Sequence, residues 1–514
     1  MIKQRLSNSK IVEFAFFFLK SQGVKFIKPE GDFTLCEFKS SYYLWSPKNP
    51  FKLYLKNKDN FEDSTLSENR IDFFRELNGP KNRKFLRFKE KFKELWKEKC
   101  SDDLEFLLNI DDKELYQVKV NTKFLGSHSK EVNEFLNNSD KNYKILKIQS
   151  PMASKKTNII NELYRQAKME EKSILFITNR ISLAKETSKK YPNVKLYLNG
   201  DYRYGDDLIV QFDSLWKYNI ESFDIVIIDE ITSLLSYIAK PHSNNTRIEE
   251  FHYRDNLQKF LSLDQFIDKI VICDAFILYN PFEDNLPVSK VFGILNEYRE
   301  ELPITEYTDK FTFFSKIFRT FNKEFISFSS NEKRLLTKIE RKLKALEPGA
   351  RILNLTSETI KIYDFELIEG LLKSYDGIFY SPVITNGVSF FHESIHFHYD
   401  NSSSIDPINS IQMIRRLRNA KEIHFYLEGK ASYKTTDIDI IEQPNYSWIL
   451  EWFRIYDYWN NPKELTFIGK RFSKILLINN ILENTHKYSF KELLKFQFKN
   501  VILNEQKSEK FSLT

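Results

Sequence analysis

Between residues 143 and 302 short apolar runs alternate with longer charged segments, at 145–148, 173–178, 208–212, 225–228 and 270–273. Runs of this length, bounded by polar residues, predict central strands of a parallel sheet covered by helices on both faces. A second series follows at 325–328, 351–355, 377–380, 395–399 and 422–427. Two tandem α/β domains, over 136–302 and 303–435, are the economical reading. Upstream, residues 1–135 form an accessory region. Its clearest element is 84–99, where Phe85, Phe88, Phe92 and Leu95 recur at helical spacing and predict an amphipathic helix. Lysines and glutamates mix on its other face, as on a solvated surface rather than a DNA-binding one. The polar stretch 126–141 marks the first boundary. From 436 to 514 the pattern is aromatic and helical, without strand runs. The apolar stretch 11–19 is interrupted by Glu13, lacks a small-residue cleavage site and is too short to span a bilayer, so it reads as a core helix.

Composition adjusts this picture only slightly. A chain of 514 residues exceeds what one hydrophobic core holds. With 41% hydrophobic and 29% charged residues it is neither wholly disordered nor collagen-like. Glycine is scarce at 13, while Phe (46), Tyr (26), Lys, Asn and Ile abound, the pattern of an AT-rich coding sequence. A net charge of +7 therefore permits a basic groove without requiring one. Cys36, Cys100 and Cys273 form no CxxC pair, which argues against a disulfide framework or zinc site and for a reducing, intracellular setting: cytoplasm, an organelle or a viral replication site.

Three segments could carry chemistry. The first strand runs into residues 149–157 (QSPMASKKT) and then a helix, the context of a phosphate-binding loop. There backbone N–H groups surround phosphate, Lys156 reaches its oxygens, and the Thr157 hydroxyl holds Mg²⁺. Ser150 and Lys155 stand where that motif has glycines, and K-K-T after a strand is otherwise a common helix start. The strand at 223–228 ends in Asp229 and Glu230, one carboxylate suited to a Mg²⁺ shell and the other to polarising water. Alone, this could be a strand end with a helix cap. At 410–418, Gln412, Arg416 and Arg418 on one helical segment could present an amide and two guanidiniums to phosphate, or else form a basic helix against acidic surface residues.

In order, these segments resemble superfamily 2 helicases, and within them the herpesvirus origin-binding protein helicase family, over roughly 143–429. Residues 149–157 are similar to motif I, with Ala153 and Lys155 replacing glycines; 174–184 resembles motif Ia, 209–215 the following DNA-side motif, 229–233 motif II and 271–276 the motif III substitute. In the second domain 325–330 and 352–359 look like motif IV and its continuation, 379–390 like motif V, and 412–419 like motif VI, with Arg415 where glycine is usual. The resemblance implies two tandem RecA-like parallel-sheet domains, of α/β class, between an N-terminal accessory region and a mainly helical C-terminal region. It implies an ATP-dependent nucleic-acid helicase or translocase acting in DNA replication of a viral, plasmid or organellar genome. ATP and Mg²⁺ would be the cofactors. Partners would be single-stranded or forked DNA, with RNA left open, and replication proteins; no membrane is involved.

By the same resemblance Asp229, Glu230, Gln412 and Arg416 are the catalytic set. Ser154, Lys155, Lys156, Thr157, Asp229 and Arg418 would bind nucleotide, with Thr157 and Asp229 on the metal. Asn179, Arg180, Ser214, Ser329, Thr356, Thr385 and Asn386 would touch the nucleic-acid strand. Lys156 and Asp229 are expected at the carboxyl ends of neighbouring strands, facing Arg416 across a cleft. The rival is a catalytically degenerate helicase-like module that binds DNA or a replication partner without ATP turnover. A P-loop nucleotide kinase or switch would leave the second α/β domain unexplained. His392, His396 and His398 could suggest metal, but strand spacing places only the last two on one face.

Overall fold

The computed structural model describes residues 116–428, apart from 201, 204, 240–249, 322, 360–364, 383–388 and 402–404, and residues 466–499 and 501–502. Elsewhere it describes 15–20, 23–30, 33–39, 41–45, 52–55, 70–72, 95, 454–456 and 462–465. The chain divides into two compact units, Met1–Asn109 with Ala431–Glu442, and Ile110–Lys430 with Gln443–Thr514.

In the first unit, β1 (Lys25–Glu30), β2 (Phe33–Phe38), β3 (Ser41–Trp45), β4 (Lys52–Leu55) and β5 (Arg70–Asp72) form an antiparallel meander in chain order. Residues 15–20 are helical, with Ala15, Phe18 and Leu19 buried. Of the expected helix at 84–99 only Leu95 lies among the described residues, helical and buried; Cys100 lies outside them.

The second unit contains two all-parallel sheets. The first comprises β6 (Val118–Val120), β7 (Ile145–Gln149), β8 (Ile174–Thr178), β9 (Lys195–Leu196), β10 (Leu208–Gln211), β11 (Ile225–Asp229), β12 (Lys269–Asp274) and β13 (Val291–Asn296). Their order is β6-β13-β7-β12-β11-β8-β10-β9. Every residue of β8 and β13 is buried, as two covered faces require. On one face α1 (Ser129–Asn137), α2 (Thr157–Met169) and α3 (Ile181–Lys190) contribute Phe135, Leu163 and Ala184 to a core with Leu146, Phe176 and Ile227; α4 (Ile231–Ile238), α5 (Glu250–Leu261) and α6 (Leu263–Phe266) follow between β11 and β12. The sheet starts ahead of the expected boundary at 136, because β6 pairs with β13 and Tyr116 donates to Gln149 Oε1 at 2.9 Å.

The second sheet comprises β14 (Ile304–Tyr307), β15 (Ile326–Ser330), β16 (Ile352–Leu355), β17 (Gly377–Tyr380), β18 (Ser394–Asp400), β19 (Ala420–Leu427) and a late strand Val501–Ile502, in the order β16-β17-β15-β18-β19-β14 and then Val501–Ile502. One face packs α7 (Lys310–Phe321) and α8 (Lys333–Leu346), the other α9 (Phe365–Leu372) and α10 (Pro407–Ile414). The C-terminal residues are helical as expected, in α11 (Phe467–Asn484) and α12 (His486–Gln497). They also hold strands the pattern did not foresee, the pair Arg454–Tyr456 and Pro462–Leu465 and the edge strand at Val501. Helix α11 joins the first lobe through Arg471, whose guanidinium takes Asp264 at 2.5 and 2.8 Å. Helix α12 joins the second, through His486 on Asp400 at 2.8 Å and Lys491 on Glu306 at 2.7 Å.

Candidate functional site

Parallel strands deliver their following loops to one edge, and the carboxyl ends of β7, β11 and β12 open there on a cleft of about 550 Å³. Lys156 and Asp229 do not end neighbouring strands, as the sequence led us to expect: β12 lies between β7 and β11. The intervening strand inserts Asp274 and Cys273 between them. Cys273 Sγ donates to Asp229 Oδ1 at 3.2 Å, and its thiol is pushed well up, first by burial. Asp274 is pushed up to about 6, chiefly by burial, while Lys156 acts against that shift.

After β7 the chain turns through Ser150 to Lys156 before α2. Ala153 at φ 68° and Lys155 at φ 61° both occupy the left-handed region that suits glycine. The Lys155 amino group sits 4.5 Å from the Phe124 ring centroid. Ser154 is buried, its hydroxyl receiving that of Ser150 at 2.6 Å. Lys156 donates to the Ser150 carbonyl at 3.2 Å, so its amino group lies inside the arc of the loop. Thr157 opens α2 and lines the cleft with Asp229.

Glu230 has φ 60° and makes no side-chain cap to its helix, Ile231–Ile238. The acceptor comes instead from Asp274, whose Oδ2 receives Thr232 N at 2.8 Å. With that task supplied from β12, the Glu230 carboxylate meets Arg416 of the second lobe at 4.0 Å. Burial pushes Glu230 up to about 7 although Arg416 opposes the shift.

Gln412 is on α10, but Arg416 and Arg418 are not on the same helix, contrary to the expectation. The helix ends at Ile414, and Leu417 bridges Phe390 in parallel fashion. Phe390 N donates to Arg416 O and Arg418 N to Phe390 O, both at 2.8 Å. Both apolar partners of the bridge are buried, which draws this segment out of helical phase. In extended backbone residues two apart share a face, so Arg416 and Arg418 still project together. Arg418 Nε donates to Ser389 Oγ at 3.1 Å, and burial lowers the guanidinium to about 9. Gln412 Oε1, Glu230 Oε2 and Arg418 Nη1 are buried with no hydrogen-bond partner among the described residues. Orphaned polar groups of both signs beside a phosphate-type loop fit a ligand carrying phosphates and a cation.

Other residues complete the cleft that were not among the expected site residues. Arg415 pairs with Glu300 at 2.5 Å and donates to the Met152 carbonyl at 3.3 Å. Gln497 of α12 accepts from Met152 N at 2.9 Å. No local pattern marks Glu300 or Gln497, and Arg415 shows in the sequence only as the residue replacing a motif glycine.

Among the expected nucleic-acid contacts, Asn179 is buried and donates to Ser233 Oγ at 2.9 Å. Arg180 reaches Asn409 Oδ1 of the second lobe at 3.1 Å, which places it at the lobe contact beside Glu230. Ser214 is half-buried in the turn Phe212–Lys217. Ser329 is fully buried, bonded to His396 Nε2 at 3.0 Å and His398 Nδ1 at 2.8 Å. Thr356 is buried in a hydroxyl turn with Thr359. Thr385 and Asn386 lie outside the described residues.

Residues 119–279 match the family described as origin of replication binding protein. A candidate replication origin-binding protein of Acanthamoeba polyphaga mimivirus is 27% identical over 352 residues, 64% of this chain and 42% of that protein. An uncharacterized candidate helicase of the same virus is 24% identical over 367 residues, 64% of this chain and 34% of that protein. The chain thus spans less than half the length of these relatives. The Saccharomyces cerevisiae protein Dbp5 bound to RNA and ADP BeF3 is similar over 73% of this chain and 99% of that one, at 15% identity and a TM-score of 0.41. The chain resembles helicase-like origin-binding proteins, and its second unit carries two parallel-sheet α/β lobes.

Proposed function

We propose, from the match of residues 119–279 to origin of replication binding proteins, that the chain is an ATP-dependent nucleic-acid helicase or translocase of superfamily 2 serving DNA replication of a viral, plasmid or organellar genome. The observation that carries the reading is the meeting of Glu230 and Arg416 across a cleft also lined by the loop holding Lys156. The loop and Lys156 bind the phosphates, Glu230 orients and deprotonates water when ionised, and Gln412, Arg416 and Arg418 compensate the charge developing on the phosphoryl group. The Thr157 hydroxyl and Asp229 carboxylate offer the hard oxygens that Mg²⁺ prefers. Mg²⁺ supplies charge neutralisation on the phosphates. Because this arginine set and the phosphate loop belong to different lobes, nucleotide binding and release alternate the lobe contact, and with it the grip on a strand.

A second reading, a module that binds DNA without turnover, draws on one observation. Ala153 and Lys155 hold left-handed backbone at a cost of ~1–2 kcal/mol each, which glycine would not incur. ATP turnover by the full chain, with and without single-stranded DNA, decides between them. Turnover stimulated by DNA and lost in Lys156→Ala supports the enzyme. A rate no higher than that of Lys156→Ala overturns hydrolysis and leaves the binding module.

A further inference from the structure

The peptide of Met152 lies in the phosphate-type loop and is held from both sides by residues outside the first lobe. Its N–H goes to Gln497 Oε1 at 2.9 Å, from the end of α12, and its carbonyl receives Arg415 Nη2 at 3.3 Å, from the second lobe. These two holders are tied to each other. Arg415 pairs with Glu300 at 2.5 Å and lies 5.0 Å over the Phe498 ring, while Glu300 N donates to Gln497 O at 2.9 Å. Gln497 is 2% exposed, so its carboxamide is screened from solvent, with Oε1 held by Met152 N and Nε2 without a hydrogen-bond partner among the described residues.

The loop they hold is under strain, with Ala153 and Lys155 both left-handed immediately after the clamped peptide. Such a backbone persists only where its surroundings over-determine it, and Met152 is where outside support is applied. Without it, the strained turn would relax and the ring of backbone N–H groups would open.

We infer that Gln497 and Arg415 are positioning residues for the nucleotide loop, a clamp on Met152 that keeps the strained turn wrapped and makes the C-terminal helix α12 an integral part of the nucleotide site. The inference rests on the reading of this cleft as a nucleotide site. A ligand that binds only the wrapped loop loses affinity in proportion to the fraction of chains left wrapped. The clamp therefore matters most where the loop is strained and little where the strain is gone. This separates positioning from mere support of the fold.

The test is a mutant cycle in the full chain, read as affinity for ADP with Mg²⁺ by calorimetry, with thermal melting as a check on folding. Gln497→Met keeps the buried volume and removes the acceptor; it is expected to weaken ADP binding roughly five- to tenfold. In a background with both Ala153→Gly and Lys155→Gly, where neither left-handed residue is strained, the same substitution is expected to cost less than about twofold, because changes acting through one backbone segment couple. Equal losses in the two backgrounds, or ADP binding by Gln497→Met equal to the parent's, overturn the clamp while leaving the nucleotide reading standing. A parent chain that binds no ADP overturns both. Should the Gln497→Met chain not fold, Arg415→Gln, which releases the Met152 carbonyl, is compared in the same two backgrounds and read in the same way.

Discussion

Lys155 is exposed, left-handed, and turned toward an aromatic ring rather than into the loop, so its charge and its backbone act separately. Replacing it with glycine removes ~1–2 kcal/mol of backbone strain. Lys155→Gly is therefore expected to tighten ADP binding, up to roughly tenfold. If the ammonium itself served the phosphates, titration would show the glycine variant binding more weakly than the parent. Glu230 supplies a second expectation. With its acid pushed up to about 7 by burial, the protonated form is favoured in the fold; that contribution is complete below the ordinary carboxyl pKa and lost as the pH rises through about 7. Function runs the other way, since only the carboxylate can take a proton from water. ATP turnover should fall by half near pH 7 on acidification, and a rate-pH profile level from 8 to 6 would remove Glu230 from the role of base.

The β18 element carries a different titration. His396 and His398 are buried on one face, bonded to Ser327 and Ser329 of β15, and burial lowers His398 to about 4. Asp400 at the strand end is held below the ordinary carboxylate range; burial would raise it, but His486 overrides that. A depressed histidine stabilises the fold fully above its unfolded pKa of 6.5 and ceases to do so as pH falls toward 4. Urea midpoints should therefore decline between pH 6.5 and 4, and less steeply in His398→Gln; parallel declines in parent and variant would exonerate the histidine. The same strand shows what pattern reading can reach. Its apolar run was visible, as were those of β7, β8, β11 and β12, because buried central strands write their environment into consecutive residues. By contrast β6, with three residues, and Val501–Ile502, with two, owe their strand state to a partner far along the chain. The site divides likewise. Lys156, Asp229 and Glu230 sit in contiguous motifs, whereas Asp274 meets Thr232 across 42 positions and Gln497 meets Met152 across 345. Arg416 and Arg418 share a face through extended backbone rather than through the helix their spacing predicts, since the bridge at Leu417 has no helical signature.

At the scale of the molecule, one helix pair ties both lobes. The buried Arg471 and Asp264 pair anchors α11 to the first, and His486 and Lys491 anchor α12 to the second. A strand gripped by two such lobes through its phosphates would displace counterions, so single-strand affinity is expected to fall at least tenfold between about 50 and 200 mM salt. Fluorescence anisotropy showing the same affinity at both ends of that range would contradict a backbone grip.

The parallel pairing of Ile304 with Val501 also sets a timetable for synthesis. The inner flank of β14 finds β19 only after residue 423 is made, and its outer flank waits for residue 502. At ribosomal speeds of about 5–20 residues per second, the roughly 200 residues between β14 and its outer partner take about 10–40 s to appear. Throughout that interval the nascent second lobe presents an open strand edge, a template for pairing with other chains. A chain ended at residue 500 never closes it, and is expected to move from the soluble to the pelleted fraction of expressing cells; a soluble yield matching that of the full chain would show that this edge needs no cover.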